Sequence, residues 1–233
     1  VPSKFDKSNP FREVYFHYGF SKGPILALTN WNEKDPIAEF AKNLRKSADK
    51  EDWQLAKKIE PKLRYFVPVL VRGEEAQGTR LWEFGKLVYE QLLGIAADED
   101  YGDFTDITDG RDFTIDAVED VVAGRKGIKC NIRVKPKTSA ISEDAAIVTK
   151  ALEEQPDILG INKHYSFDEL KDLLDKWLNP DSEEDTEAPI ASKDEDEEDD
   201  FLAEMNKPVE QTYKLDTTAA KTTNADKFDD LFN

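Results

Sequence analysis

The sequence predicts a mainly β chain with helical insertions (α+β): a small barrel-like core, a C-terminal helix, then an unstructured acidic tail. Three observations predict it. Short runs rich in β-branched and aromatic residues recur through the first 140 residues, separated by glycine turns and helical stretches. A strongly amphipathic stretch follows near residue 170. From residue 181 onward there are 18 acidic and 5 basic residues and little apolar pattern, too few buried groups to offset the entropy of ordering. The resulting division is a core over 1–140, a helical segment packing on it over 141–180, and a tail over 181–233.

The elements follow in order. Residues 12–20 and 24–30 flank Ser21-Lys22-Gly23 and read as a hairpin. Asp35 and Pro36 suit the cap and first position of a helix that carries Ile37, Phe40, Ala41 and Leu44. A second helix bears Trp53, Leu55, Ala56 and Ile59 and stops before Pro61. Residues 64–72 (RYFVPVLVR) alternate as a strand, in which Pro68 cannot donate to a ladder and so implies an edge or a bulge. Residues 80–84 form a further strand, and Gly85 leads into a helix with Leu87, Val88, Leu92 and Ile95. After an acidic loop over 98–112, residues 113–122 and 128–135 read as a last hairpin around 124–127. Its second strand alternates, with Ile128, Cys130, Ile132 and Val134 on one face and Lys129, Asn131, Arg133 and Lys135 on the other. Several short strands joined by helices suit a twisted barrel of the OB type. Residues 142–178 read as helical, with Ser166 and Glu169 as a capping box and Leu170, Leu173, Leu174, Trp177 and Leu178 as one stripe.

Charge narrows the function. The chain of 233 residues has a formal charge of −18, yet residues 1–150 are nearly neutral, with 24 basic and 25 acidic side chains. The negative charge belongs to the tail and leaves the body able to meet a polyanion. Between residues 121 and 142 there are six basic residues and no acid. Lys57, Lys58, Lys62, Arg64, Arg80 and Lys86 are interleaved with Trp53, Tyr65 and Trp82. A cationic groove lined with rings is what single strands require, because phosphates track the charge and bases stack on the rings. With Lys129, Arg133 and Lys135, these are the candidate DNA-binding residues.

Other chemistries are thin. The only histidines are His17 and His164, and the single Cys130 excludes an internal disulfide. No nucleophile-base set or phosphate loop is present, so no catalytic residue is assigned. The 98–120 carboxylates raise the alternative of a metal-dependent nuclease, but Ile107 stands where a calcium-type loop needs a ligand. A second alternative is an acidic interaction protein or DNA mimic that binds a basic partner. The tail's Phe201, Leu202 and Met205, and its terminal Phe228, Asp229, Asp230, Leu231 and Phe232, suit basic, apolar pockets on partner proteins. No apolar run reaches membrane-spanning length, and a reducing cytoplasmic setting is expected from the single cysteine.

These segments resemble a known family. Residues 2–20, then 62–72 (KLRYFVPVLVR), Trp82-Glu83-Phe84-Gly85-Lys86, 103–113 (DFTDITDGRDF) and the acidic finish at 228–232 are similar, in order and spacing, to the helix-destabilising single-stranded DNA-binding protein of T-even-type bacteriophages. Asp35-Pro36-Ile37-Ala38-Glu39 resembles the form found in phages of marine cyanobacteria. The resemblance implies an OB-fold core that binds single strands with little sequence preference. It also implies an acidic tail that contacts polymerase, helicase loader and recombinase in the cytoplasm of an infected bacterium. It places Trp53, Tyr65 and Trp82 as stacking rings and Lys57, Lys58, Lys62 and Arg64 in the basic segment. Two departures stand out. The T-even-type zinc segment C-P-x-C here reads Asp35-Pro36-Ile37-Ala38, and His17 lacks partner ligands, so no zinc is expected and the Asp35 cap with its apolar helix should take its place. The chain also starts at Val1-Pro2-Ser3, after the family's basic cooperativity segment, so weak cooperativity is expected.

Overall fold

A computed structural model gives the fold. It describes residues 1–122, 125–179 and 223–232, the side chains of 120–122, 125–128 and 226 excepted. The class is mixed α/β with an OB-like, four-stranded antiparallel half-barrel. The strands are β1 (Arg12–His17), β2 (Ile25–Leu26), β3 (Lys62–Val69) and β4 (Arg80–Phe84), in the order β2-β1-β3-β4. The last hairpin, β5 (Arg111–Val122) and β6 (Arg125–Thr138), does not join this sheet but forms a ribbon of its own. The helices are α1 (Pro36–Leu44), α2 (Lys50–Ile59), α3 (Lys86–Ala96), α4 (Ala145–Glu153), α5 (Phe167–Leu178) and α6 (Asn224–Phe232).

Three expectations are corrected. Strand β3 lies inside the sheet order, not at an edge, and Pro68 is tolerated one residue from the strand's end. The helical stretch expected over 142–178 is two helices: the first ends at Glu153, just ahead of Gln155, whose helical conformation Pro156 disfavours. The acidic tail is not featureless to its end, since Asn224–Phe232 is helical; residues 180–222, with Phe201, Leu202 and Met205, lie outside the described residues.

The chain divides into two compact units. The first holds Val1–Val14 and Leu63–Ile161. Its core is Tyr65, Val67, Phe84 and Leu92, flanked by Phe11, Trp82, Val88, Tyr89, Phe113 and Ile132. Register explains the set. Tyr65 pairs with Phe84 and Val67 with Trp82, so these four share one sheet face, which α3 and the ribbon root cover. The opposite face, Phe66, Pro68 and Leu81, borders a small crevice with Phe5, Pro10, Pro156 and Ile158.

The second unit holds Tyr15–Lys62 and, among described residues, 162–179 and 223–232. Apolar stripes of α1, α2 and α5 meet in a core of Ile37, Phe40, Leu44, Ala56, Ile59, Leu170 and Leu174. At its centre the Asp35 carboxylate accepts from Ala38 N (3.0 Å) and Leu28 N (2.8 Å) and lies 2.9 Å from His17 Nε2. His17 Nδ1 faces the Ile59 carbonyl at 3.3 Å. Each ring nitrogen thus faces an oxygen inside the core. His17 is held by hydrogen bonds on both ring nitrogens, and Asp35 does more than cap α1. These residues do not fit a zinc set: both Asp35 oxygens are committed to protein donors, and positions 36–38 offer no ligand.

Burial pushes the Asp35 carboxyl up, but the His17 and backbone hydrogen bonds outweigh it and hold it below 3.8. A depressed folded value stabilises above the unfolded one and is lost as pH falls through it. Denaturant unfolding of Asp35→Asn at neutral pH should show a loss of roughly 3 kcal/mol, the cost of breaking a buried pair. Below pH 3.8 the wild-type advantage should shrink. A pH-independent difference between the two proteins would refute this account.

Candidate nucleic-acid interface

The residues with nucleic-acid character fall into one group on each unit. On the second unit the group is centred on Trp53, half-buried on α2. The Arg45 guanidinium lies 4.4 Å from the ring centroid and Lys57 Nζ 5.9 Å. Arg45 also bonds both oxygens of Glu60 at 2.8 Å. Lys62 Nζ donates to the Lys57 carbonyl at 3.0 Å and lies 3.8 Å from Glu60. Lys58 is exposed, 5.1 Å over the Trp177 ring. Helical spacing puts Lys57 one turn from Trp53 on α2, while Arg45 comes from the end of α1 and Lys62 from the start of β3. Glu60 is the part the sequence reading overlooked, an acid inside the basic segment.

On the first unit, two predicted contact residues turn inward. Tyr65 is 5% exposed, stacked on Tyr89 at 3.9 Å and 11° and parallel to Phe84 at 6.2 Å. A ring packed this way has no open face for a base, so its expected stacking role is not what the packing provides. Arg64 is buried 3.6 Å from Glu83. Both follow from β3 being covered on its two faces, which alternation alone does not reveal. Trp82 stays half-buried, tilted against Phe84 at 4.7 Å, and is the remaining candidate ring on this unit. Arg80 shares its face of β4 and binds Glu74 (2.5 Å) and Gln77. Lys86, at the start of α3, is exposed 3.8 Å from Glu90.

The ribbon keeps its predicted alternation. Lys129, Asn131, Arg133 and Lys135 are exposed, while Cys130, Ile132 and Val134 are half-buried, with Ile132 packed on the core. The side chains of Arg125 and Lys126 lie outside the described residues. Thr114 pairs with Arg133, Asp116 with Asn131 and Val118 with Lys129, so these β5 residues share the basic face. Arg133 bonds Asp116 at 2.6 Å although its side chain is 69% exposed. Asp116, 17 positions away, could not be placed there from composition.

Two arginines fix where the ribbon leaves the unit. Between the pairs Arg111↔Thr138 and Phe113↔Val134, β6 carries two more residues than β5, a bulge spanning Lys135, Pro136 and Lys137. Arg111 caps the bulge by donating to the Pro136 carbonyl, and also reaches the Tyr101 carbonyl (2.8 Å) and the Asp100 carbonyl (3.0 Å). Arg72 makes a forked bond to Asp112 (2.7 and 3.0 Å) and donates to the Ile141 and Ala140 carbonyls at 2.5 and 2.7 Å. Bonding to Asp112 raises the Arg72 pKa further, so the clamp stays charged. Arg72 therefore positions the ribbon root. Replacing it with Ala should cost about 1–2 kcal/mol locally. Backbone hydrogen exchange across 111–118 and 129–138 should then speed up roughly tenfold. Unchanged exchange there would show that the clamp is dispensable.

Among the described residues, no group of three or more His, Cys, Asp or Glu is arranged to hold a metal, and no helix is long and apolar enough to cross a membrane. A search of curated proteins finds no match to the chain. The family model described as gp32 DNA binding protein like matches residues 1–179, which takes in the second unit only as far as the end of α5 but includes every cation and ring described above. The chain thus belongs to the gp32-like family of single-stranded DNA-binding proteins, the family its segments resemble.

Proposed function

We propose that the protein coats unpaired DNA without regard to sequence. Phosphates would lie along the cations of the ribbon and the Trp53 group, and bases would stack on Trp82 and Trp53. The observation that carries the reading is the exposed row Lys129, Arg133 and Lys135 on a ribbon held at its root, in a chain of a DNA-binding family. That row also sets it above the DNA-mimic alternative, which needs no cationic surface. Weak duplex melts without ATP when only the unpaired form is bound, since preferential binding of one state shifts the equilibrium. The acidic segment beyond residue 181 would compete with DNA for the same cations and recruit replication, recombination and repair proteins. The setting that suits this work is a phage replication system in the cytoplasm of a bacterial host.

Titration with a poly-pyrimidine strand at low salt should quench tryptophan emission; a flat titration would sink the reading. Lys129→Gln and Arg133→Gln together should weaken binding equally for all sequences. They should also lower the slope of log affinity against log salt by about 1.4, or roughly 0.7 per lost phosphate contact. A sequence-dependent loss with an unchanged slope would assign these residues to base contacts.

Neutralising the acids of 194–200 as amides should tighten strand binding, most at low salt, where screening is weakest. Affinity unmoved at every salt concentration would remove the competing role of the tail. Keeping the chain length leaves α6 in place during this test.

A further inference from the structure

The last helix is seated in a groove of its own protein. Phe228 on α6 is 3% exposed, its ring 6.0 Å from Phe40 of α1 at 75°. Phe232, one turn on, meets Phe167 of α5 at 6.1 Å and Phe228 at 5.1 Å. Lys171 of α5 donates to the Phe232 carbonyl at 3.2 Å and lies within 6 Å of both rings. Lys227 bonds both oxygens of the buried Asp52 of α2 at 2.6 Å. Asp229, Asp230 and Leu231 point outward. The groove thus supplies an aromatic floor and a buried anion for the helix's lysine. A cation from α5 stands at the helix's C-terminal end, where the macrodipole favours one.

We propose that the groove between α1, α2 and α5 is a docking site for a short helix carrying Lys-Phe and a second Phe one turn later, and that its occupant is the chain's own 224–232, held in cis. Residues 180–222 tether the helix to α5, so after release it stays at an effective concentration on the order of millimolar. If the terminus also recruits partners, as proposed above, cis docking and partner engagement exclude each other. Phe228 and Phe232 are then anchors for both, and the acidic residues left outward give a partner its first contact.

The Lys227–Asp52 pair allows a direct test, independent of any DNA assay. Equal amounts of unlabelled and ¹⁵N-labelled full chain are mixed and treated with a water-soluble carbodiimide. Peptides joined through a Lys227–Asp52 amide are then read by mass spectrometry. The expected result is that bond within single copies only. Phe228→Ala with Phe232→Ala should lower its yield by at least about tenfold, and Asp230→Asn should leave it unchanged. Absence of the bond in the unmodified chain, or light–heavy pairs making up half of it, would overturn cis docking. Hydrogen exchange of the Phe228–Phe232 amides in the unmodified chain is a second check: rates slowed well below those of a free peptide support docking, and free-peptide rates refute it.

Discussion

The buried Asp35 carboxylate is the constraint on which the second unit is built. It accepts a hydrogen bond from Ala38, which starts α1, and one from Leu28, which fixes the turn after β2. Through His17 it reaches the last residue of α2. Four separate stretches of chain are thereby tied at one point inside an apolar core. An isolated carboxylate there would be prohibitively costly, and three donors make it tolerable. The same need ties the start of α1 to the turn after β2 and to β1, which carry the three donors. The cations around Trp53 inherit their positions from this knot, since Arg45 follows α1 and Lys57 and Lys58 lie on the last turn of α2.

The first unit solves a different problem. A two-stranded ribbon does not hold its direction alone, because half its faces have no neighbour and its hydrogen bonds are open to water. The bulge at 135–137 sets the angle, and Arg72 and Arg111 satisfy the carbonyls exposed where the ladder breaks. A guanidinium suits a cluster of open carbonyls because it is planar, always charged, and carries five donors in a fixed fork. A chain expected to use arginine for phosphate thus uses two of its arginines for architecture.

What the sequence revealed divides by distance along the chain. Asp35 as a cap, the Ser166–Glu169 capping box and the alternation of 129–135 are local patterns, and the structure has all three. The family was legible from ordered segments, and the family-model match over 1–179 covers all of them except the acidic finish at 228–232. Tyr65 and Arg64 were misjudged because alternation says which residues share a face, not whether both faces are covered. Asp116 beside Arg133, Asp112 under Arg72 and Asp52 beneath Lys227 are pairings over 17, 40 and 175 positions. No local pattern encodes them. The helical end of the tail was hidden for a related reason. Phe228 and Phe232 are too few to mark an amphipathic helix inside an acidic run, and it takes the groove on the body to bury them.

The pairing of cations with carboxylates bears on how such a surface would hold DNA. Arg45 and Lys62 share Glu60, Arg80 has Glu74, Lys86 has Glu90, and Arg133 has Asp116. Exposed pairs of this kind contribute only about 0–1 kcal/mol each to stability, so folding alone is a weak reason for five of them. On a strand-binding surface they matter differently. A carboxylate holds its cation extended and partly ordered, which lowers the entropy lost when a phosphate takes its place. It also offsets part of the attraction, because each phosphate must displace or share a neighbour of its own sign. Such a surface would make many modest contacts, each weakened by added salt. Binding of single-stranded DNA by such a surface rests on the number of contacts more than on the tightness of any one of them.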